Sequence, residues 1–203
     1  VLEKHPHVYV VSDEIYEHIN FSGTFCSIAS IPGMLERTIT VNGVAKAFAM
    51  TGWRIGYMGA PEFIAKACTK MQGQVTSGAN SIAQRATKAA VEANPSQIKY
   101  MVDAFHKRRD LVFGLMQEIP GFKLNNPDGA FYVFPDVSDY FGKTLRGTEI
   151  KDATDFAMYL LAEANVATVT GDAFGSPNCL RLSYATSEEQ LIEAIKRIKD
   201  AVS

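Results

Sequence analysis

The chain has little cysteine, a single tryptophan and no long apolar run. Its three cysteines, Cys26, Cys68 and Cys179, are scattered and odd in number. A disulfide framework is therefore not expected, and a reducing, cytoplasmic compartment fits best. No stretch reaches the roughly 20 apolar residues of a membrane-spanning helix, and the opening VLEKHPHVYV has no signal-peptide core. Charge of one sign is also missing. Twenty Lys and Arg stand against 22 Asp and Glu, for a net charge of -2, so no field for nucleic acid or an anionic membrane is implied. Metal-ligand clustering is absent too: His5 and His7 share a strand face, but no Cys or carboxylate set joins them, and no zinc site is expected. Ser12, Asp13 and His18 do not form a hydrolase signature. Lys107-Arg108-Arg109 reads as a solvated helix face. What is present is a chain of 203 residues, 47% hydrophobic and 21% charged. That composition belongs to a folded globular protein with a sizeable core.

The pattern of elements is α/β at first and α+β later. Residues 8 to 12 (VYVVS) read as a fully buried strand ending at Asp13. TITVN at 38 to 42 and GWRIGYMGA at 52 to 60 read as two more strands. Pro61 opens a helix to about 74, and a second helix spans about 79 to 92. Asn94-Pro95 caps a long helix to about Glu118, stopped by Pro120-Gly121. Residues 122 to 124 and 130 to 134 then read as strands around the turn Asn126-Pro127-Asp128-Gly129. A helix over 152 to 164 and strands at 166 to 170 and 179 to 185 follow. Ser187 and Gln190 form a capping box for the last helix. These signals divide the chain into part of a large α/β domain (1–93), a connecting helix (94–120) and a small α+β domain (121–203).

Three segments can carry chemistry. Lys46 follows a β-branched strand and sits among Val44, Ala45, Ala47, Phe48 and Met50. An amine in apolar surroundings has its charged form disfavoured and can act as a nucleophile toward an aldehyde. Eight residues on, Arg54 could hold a phosphate dianion by paired hydrogen bonds. Asp13 stands at the carboxyl end of a strand, where ligands collect in α/β sheets. A carboxylate there could hold a protonated ring nitrogen, and Tyr16, three residues on, could donate to a phenolate oxygen. Arg181 lies in the middle of the apolar strand CLRLSYA and needs a partner. That partner could be a substrate carboxylate or an internal Asp or Glu. Each segment also has an ordinary reading: a solvated turn lysine, a strand-end ion pair, an Asp cap with a packing Tyr.

Taken together the segments resemble one family. Gly43-Val44-Ala45-Lys46 followed by Gly52-Trp53-Arg54-Ile55-Gly56 is similar to the pyridoxal-phosphate attachment pattern of class I and II aminotransferases. SDEIYEHI, NPDGAFYVFPDVS and LRLSYATSEEQL resemble further segments of that family, in the same order, and the likeness is greatest to its prokaryotic aspartate aminotransferase subgroup. The resemblance implies the fold type I architecture, a mixed sheet with helices plus a small C-terminal α+β domain. It implies pyridoxal 5'-phosphate as cofactor, an L-amino acid of the aspartate or glutamate class and a 2-oxo acid as substrates, and a homodimer. It implies that Lys46 attaches the cofactor as a Schiff base and shuttles a proton. Asp13 would pair with the ring nitrogen, Tyr16 with the ring oxygen, Arg54 with the phosphate and Arg181 with the substrate carboxylate.

Gly43 and Ala45 depart from the pattern, because family members often carry serine there. The family's chains are also considerably longer. The resemblance therefore implies the C-terminal half of such an enzyme, with weak cofactor binding by this piece alone. A lyase, a decarboxylase or a cyclopropane-forming synthase on the same scaffold would use the same Lys, Asp and Arg. The remaining alternative is a non-catalytic fragment.

Overall fold

In the computed structural model, which describes residues 1–203, the chain divides into two compact units, Val1–Val102 and Asp103–Ser203. The first unit is built on a three-stranded sheet of β1 (Val10–Asp13), β2 (Thr38–Gly43) and β3 (Gly56–Gly59), in the order β1-β2-β3. β1 and β2 are parallel, with Asp13 opposite Val41. β3 returns antiparallel, with Gly56 opposite Gly43. The β-branched run TITVN makes β2 the central strand, and Thr38 closes its start by donating its hydroxyl to the Met34 carbonyl at 2.7 Å.

The strand over residues 8 to 12 lacks the second neighbour that a fully buried strand needs. β1 pairs on one side only, and Val11 is 71% exposed on the other. The third strand is also shorter than expected. Thr51–Trp53 form a 3-10 turn, and pairing begins only at Gly56. Two helices follow, α1 (Glu62–Val75) and α2 (Ser81–Glu92). Asn80 caps α2 by accepting from the Ala83 amide. α1 buries no residue and α2 only Ala83, so Phe63, Met71, Val75, Ile82 and Val91 stay exposed.

The segment expected as one helix from Asn94 begins as a 3-10 turn, Pro95–Ile98, with Asn94 accepting from the Ser96 amide. It then becomes α3 (Lys99–Met116). The division between units falls inside α3.

In the second unit, β4 (Tyr132–Val133), β7 (Val169–Thr170) and β8 (Leu180–Ser183) form an antiparallel sheet with β8 in the middle. The strand expected at 122 to 124 is reduced to a bridge between Lys123 and Asp136. A hairpin of β5 (Lys143–Leu145) and β6 (Thr148–Ile150) lies in a stretch with no expected element. Its turn residues Arg146 and Gly147 both have positive φ, 46° and 87°, as a type I′ turn requires. α4 (Ala153–Ala164) and α5 (Glu188–Val202) pack together. Their inner faces, Phe156 and Leu160 on one and Ile195 and Ile198 on the other, join Val133, Ile150, Leu180 and Tyr184 in the core. The capping box is half realised. Ser187 accepts from the Gln190 amide, but the Gln190 side chain accepts from the Thr186 hydroxyl at 2.5 Å instead of reaching the cap's backbone.

No helix is long and apolar enough to cross a membrane.

Candidate active site

Parallel pairing of β1 and β2 brings their carboxyl ends to one edge of the first sheet, and antiparallel β3 starts at that edge. Asp13 is the last residue of β1. Lys46 follows the end of β2 by three residues, and Arg54 precedes the start of β3 by two. Residues far apart in sequence therefore share one sheet edge, the place where ligands bind in open α/β sheets.

The loop carrying Lys46 is anchored from below. Val44 is fully buried and Ala47 nearly so. The Gly43 amide donates to the Asn42 side chain at 2.7 Å, and the Met50 amide reaches back to the Val44 carbonyl at 3.3 Å. Gly43 has no room for a side chain without displacement, because a Cβ would lie 3.1 Å from the Ile55 carbonyl and 3.2 Å from the Gly56 Cα. The glycine is thus required by close approach of β2 and β3. The half-buried Lys46 directs its Nζ over the Tyr16 ring, 5.9 Å from the centroid. His18 packs edge-on against Phe48 at 5.6 Å, so the two segments also meet two residues further along each.

Asp13 is exposed, and its Oδ1 accepts from the Ile15 amide at 3.2 Å. Tyr16 lies in consecutive turns rather than a helix: the Glu17 amide donates to the Glu14 carbonyl and the Ile19 amide to the Tyr16 carbonyl. Glu14 is not among the expected site residues, yet it organises this turn. Its carboxylate is 7% exposed and accepts the Ser12 hydroxyl at 3.1 Å and the Ser27 hydroxyl at 2.7 Å. The same residue's amide donates to the Val41 carbonyl at 2.8 Å. Glu14 therefore ties the end of β1 to β2 and to a distant loop, which fixes the base from which Asp13 projects. Its signal was a carboxylate beside a serine two residues away on one strand face. Nearby on β3, burial raises the pKa of the Tyr57 phenol, and the charge of Glu17 adds to the rise.

Arg54 has φ 54° and ψ 50°, a left-handed conformation, and Ala49 also has φ 54°. Two non-glycine residues in that region on one short loop indicate a backbone held in place by its surroundings. Arg54 is not paired with a carboxylate as a strand-end ion pair would be. Its Nη1 donates to the Thr51 carbonyl at 2.8 Å. Arg54 lines a hollow of about 710 Å³ together with Trp53, Gln72 and Asn80.

Arg181 belongs to the second unit and is central on β8. It forms no ion pair within the chain. Its guanidinium carbon lies 4.5 Å from the Tyr132 ring centroid and 4.2 Å from that of Phe174. Of the two partners open to it from sequence, the internal carboxylate is thus not used.

The basic run on α3 departs from the expected solvated face. Lys107 pairs with Glu188 at 2.9 Å, but Arg109 is buried. Arg109 donates to Asp110 Oδ1 through Nε at 2.9 Å and Nη2 at 2.6 Å, and through Nη1 to the Pro127 carbonyl at 3.0 Å. No cluster of His, Cys, Asp or Glu could hold a metal ion.

The family model described as aminotransferase class I and II matches residues 1–198. The chain is 47% identical to the bifunctional aspartate aminotransferase and glutamate/aspartate-prephenate aminotransferase of Petunia hybrida, over all of this chain and 43% of that protein. It is 47% identical to an aspartate aminotransferase of Rhizobium meliloti (strain 1021), over 99% of this chain and 50% of that one. Among solved structures, an aspartate aminotransferase from Rhizobium meliloti superposes with a TM-score of 0.94 at 46% identity, covering 99% of this chain and 51% of its own. An aromatic aminotransferase from Pyrococcus horikoshii gives 0.88 at 37%, covering 98% of this chain and 52% of its own. The chain spans about half the length of these relatives. The chain belongs to the class I and II aminotransferases.

Proposed function

We propose that the full-length protein carrying this chain is a pyridoxal-phosphate-dependent aminotransferase. It moves an amino group from an L-amino acid of the aspartate and glutamate class to a 2-oxo acid. The observation that carries the reading is the shared sheet edge of Asp13, Lys46 and Arg54, with the Lys46 amine over the Tyr16 ring at 5.9 Å. The acidic substrate class is supported by the names of the Rhizobium and Petunia relatives.

The residues suit the cofactor's chemistry. A phosphate needs a cation with room beside it, which Arg54 and its hollow offer. A pyridinium nitrogen needs a carboxylate, a phenolate oxygen a donor, and an aldehyde an amine. Asp13, Tyr16 and Lys46 are those groups. When bound, the cofactor supplies an electron sink for the pair left on the substrate α-carbon. The following roles fall to residues of this chain. Asp13 holds a proton at the ring nitrogen. Tyr16 donates to the ring oxygen. Arg54 anchors the phosphate. Lys46 attaches the cofactor and moves the proton at the substrate α-carbon. Arg181 holds the substrate α-carboxylate through a two-point fork. We also propose that the enzyme works as a homodimer in the cytoplasm. The apolar side chains that α1 and α2 leave exposed call for a covering surface, from the rest of the full-length chain or from a second copy, and the odd, scattered set of three cysteines suits a reducing compartment.

The test is borohydride reduction of the full-length protein reconstituted with pyridoxal phosphate, followed by peptide mass mapping. The expected site of attachment is Lys46, and Lys46→Ala is expected to lose both attachment and amino transfer. Attachment at another lysine, or transfer that survives Lys46→Ala, would overturn the reading.

A further inference from the structure

The geometry points to Tyr132 and Phe174 as positioning residues that bracket the Arg181 guanidinium and leave its N–H edge as the only face for a ligand. This inference rests on the proposed role of Arg181 as a carboxylate fork.

The bracket follows from sheet order. β8 lies between β4 and β7. Tyr132 on β4 is opposite Ser183, so it is a diagonal neighbour of Arg181 on the same sheet face. On the other flank, Val169 of β7 is opposite Arg181, and β7 leads directly into the 3-10 turn Gly171–Phe174. One ring therefore reaches the guanidinium from each side of the strand that carries it, at 4.5 and 4.2 Å.

Each ring is itself held. Phe174 meets Phe134 edge-on at 6.0 Å, and Phe134 is two residues from Tyr132, on the same face of its segment. The turn presenting Phe174 is pinned by the Gly171 amide donating to the Cys179 carbonyl at 2.7 Å and the Ser176 amide to the Gly171 carbonyl at 3.0 Å. An aromatic face is negative and attracts a cation without offering it a hydrogen bond. Two rings within 4.5 Å of the guanidinium carbon restrict its orientation and offer it no hydrogen bond, so its donors are left to an outside acceptor. A planar carboxylate meets that edge with two parallel hydrogen bonds. A lysine ammonium has no plane to hold, so the bracket is specific to arginine at residue 181.

The test measures the dissociation constant of maleate, a non-reacting dicarboxylate, for the full-length holoenzyme by titration calorimetry. Phe174→Leu and Tyr132→Leu are each expected to raise it about tenfold, which is about 1.4 kcal/mol. KM for the amino acid should rise with it, while kcat changes by less than about threefold. Tyr132→Phe keeps the ring and should bind maleate within about twofold of the parent protein, which separates the ring face from the hydroxyl. Unchanged maleate binding in both leucine variants, with Arg181→Ala still weakened, overturns the bracket alone. Unchanged binding in Arg181→Ala overturns the role of Arg181 itself. If Tyr132→Leu does not fold, Phe174→Leu decides the matter, since that ring is 46% exposed and its loss leaves the core intact.

Discussion

Gly171→Ala tests how tightly the turn before β8 is constrained. The φ of Gly171 lies outside the left-handed region, so alanine is not excluded by backbone conformation. The obstacle is space. A Cβ on Gly171 would sit 2.0 Å from the Ser176 carbonyl oxygen and 2.7 Å from that of Cys179. Both neighbours are backbone atoms and cannot rotate away. Ser176 O accepts the Cys179 amide at 3.0 Å, and Cys179 O accepts the Gly171 amide at 2.7 Å. Making room therefore strains or breaks two hydrogen bonds, at about 1 kcal/mol each. Overpacking adds roughly 1 to 3 kcal/mol. The expected loss is roughly 3 to 5 kcal/mol, a drop in melting temperature on the order of 10 °C for a chain of this length. Thermal unfolding followed by circular dichroism reads it, with two internal comparisons. Gly175 has φ 73° but open space, so Gly175→Ala should cost only about 1 to 2 kcal/mol. Gly114 lies exposed in α3 with nothing near its Cβ direction, so Gly114→Ala should gain about 0.5 to 1 kcal/mol. If Gly171→Ala melts with Gly175→Ala rather than well below it, the steric argument is refuted.

Two more perturbations follow from buried polar groups. Burial raises the Tyr140 phenol to about 12, and the charge of Asp139 adds to the shift. An unfolded tyrosine ionises near 10, so this contribution is fully present below about pH 10. It is lost as pH climbs toward 12, by about 2 to 3 kcal/mol at most. Urea midpoints across that range should fall, and Tyr140→Phe should flatten part of the slope. Arg109→Leu removes the donors to Asp110 and to the Pro127 carbonyl and should cost about 2 to 3 kcal/mol. Asp110→Asn should cost less than about 1 kcal/mol, because that side chain is 60% exposed. Chemical denaturation of the two variants gives the comparison.

Much of this chain was legible where a local pattern suffices. TITVN reads as a strand from its β-branched run alone, and Asn94 and Ser187 cap the elements they precede. Asp13 was legible as a candidate because strand ends are where α/β sheets gather ligands, and Lys46 because an amine among apolar neighbours can act as a nucleophile. What failed depended on neighbours distant in sequence. VYVV looks the same whether its strand is paired on one side or two, and here it is paired on one. The three-residue strands β5 and β6 carry Lys, Thr and Glu, so only Arg146-Gly147 marked the hairpin. Arg109 looked solvated because the carbonyl it serves belongs to Pro127, in a turn beyond the end of its helix. The ring bracket on Arg181 could not be read at all without the order β4-β8-β7.

The turn that Arg109 holds at Pro127 runs into a strained residue. Ala130 has φ 60°, a left-handed alanine immediately after Gly129. Such a residue costs about 1 to 2 kcal/mol and persists only when its surroundings over-determine it. Here they do. The Tyr184 hydroxyl donates to the Ala130 carbonyl at 3.1 Å, the Tyr184 amide to the Phe131 carbonyl at 2.9 Å, and Arg109 to the Pro127 carbonyl at 3.0 Å. The strained residue lies two positions before Tyr132, so the conformation at Ala130 sets where β4 begins and where the Tyr132 ring points. Ala130→Gly relieves the strain but loosens the unfolded chain, and the two effects nearly cancel. Its melting temperature should stay within a few degrees of the parent's, corresponding to about 1 kcal/mol. Ala130→Val places a β-branched residue where such residues are outliers and should cost about 2 to 3 kcal/mol. In the full-length enzyme it should also raise KM for the amino acid more than it lowers kcat, because the Tyr132 ring shifts off Arg181. Equal stability of the valine and glycine variants would show that the left-handed conformation at residue 130 is not what holds this turn.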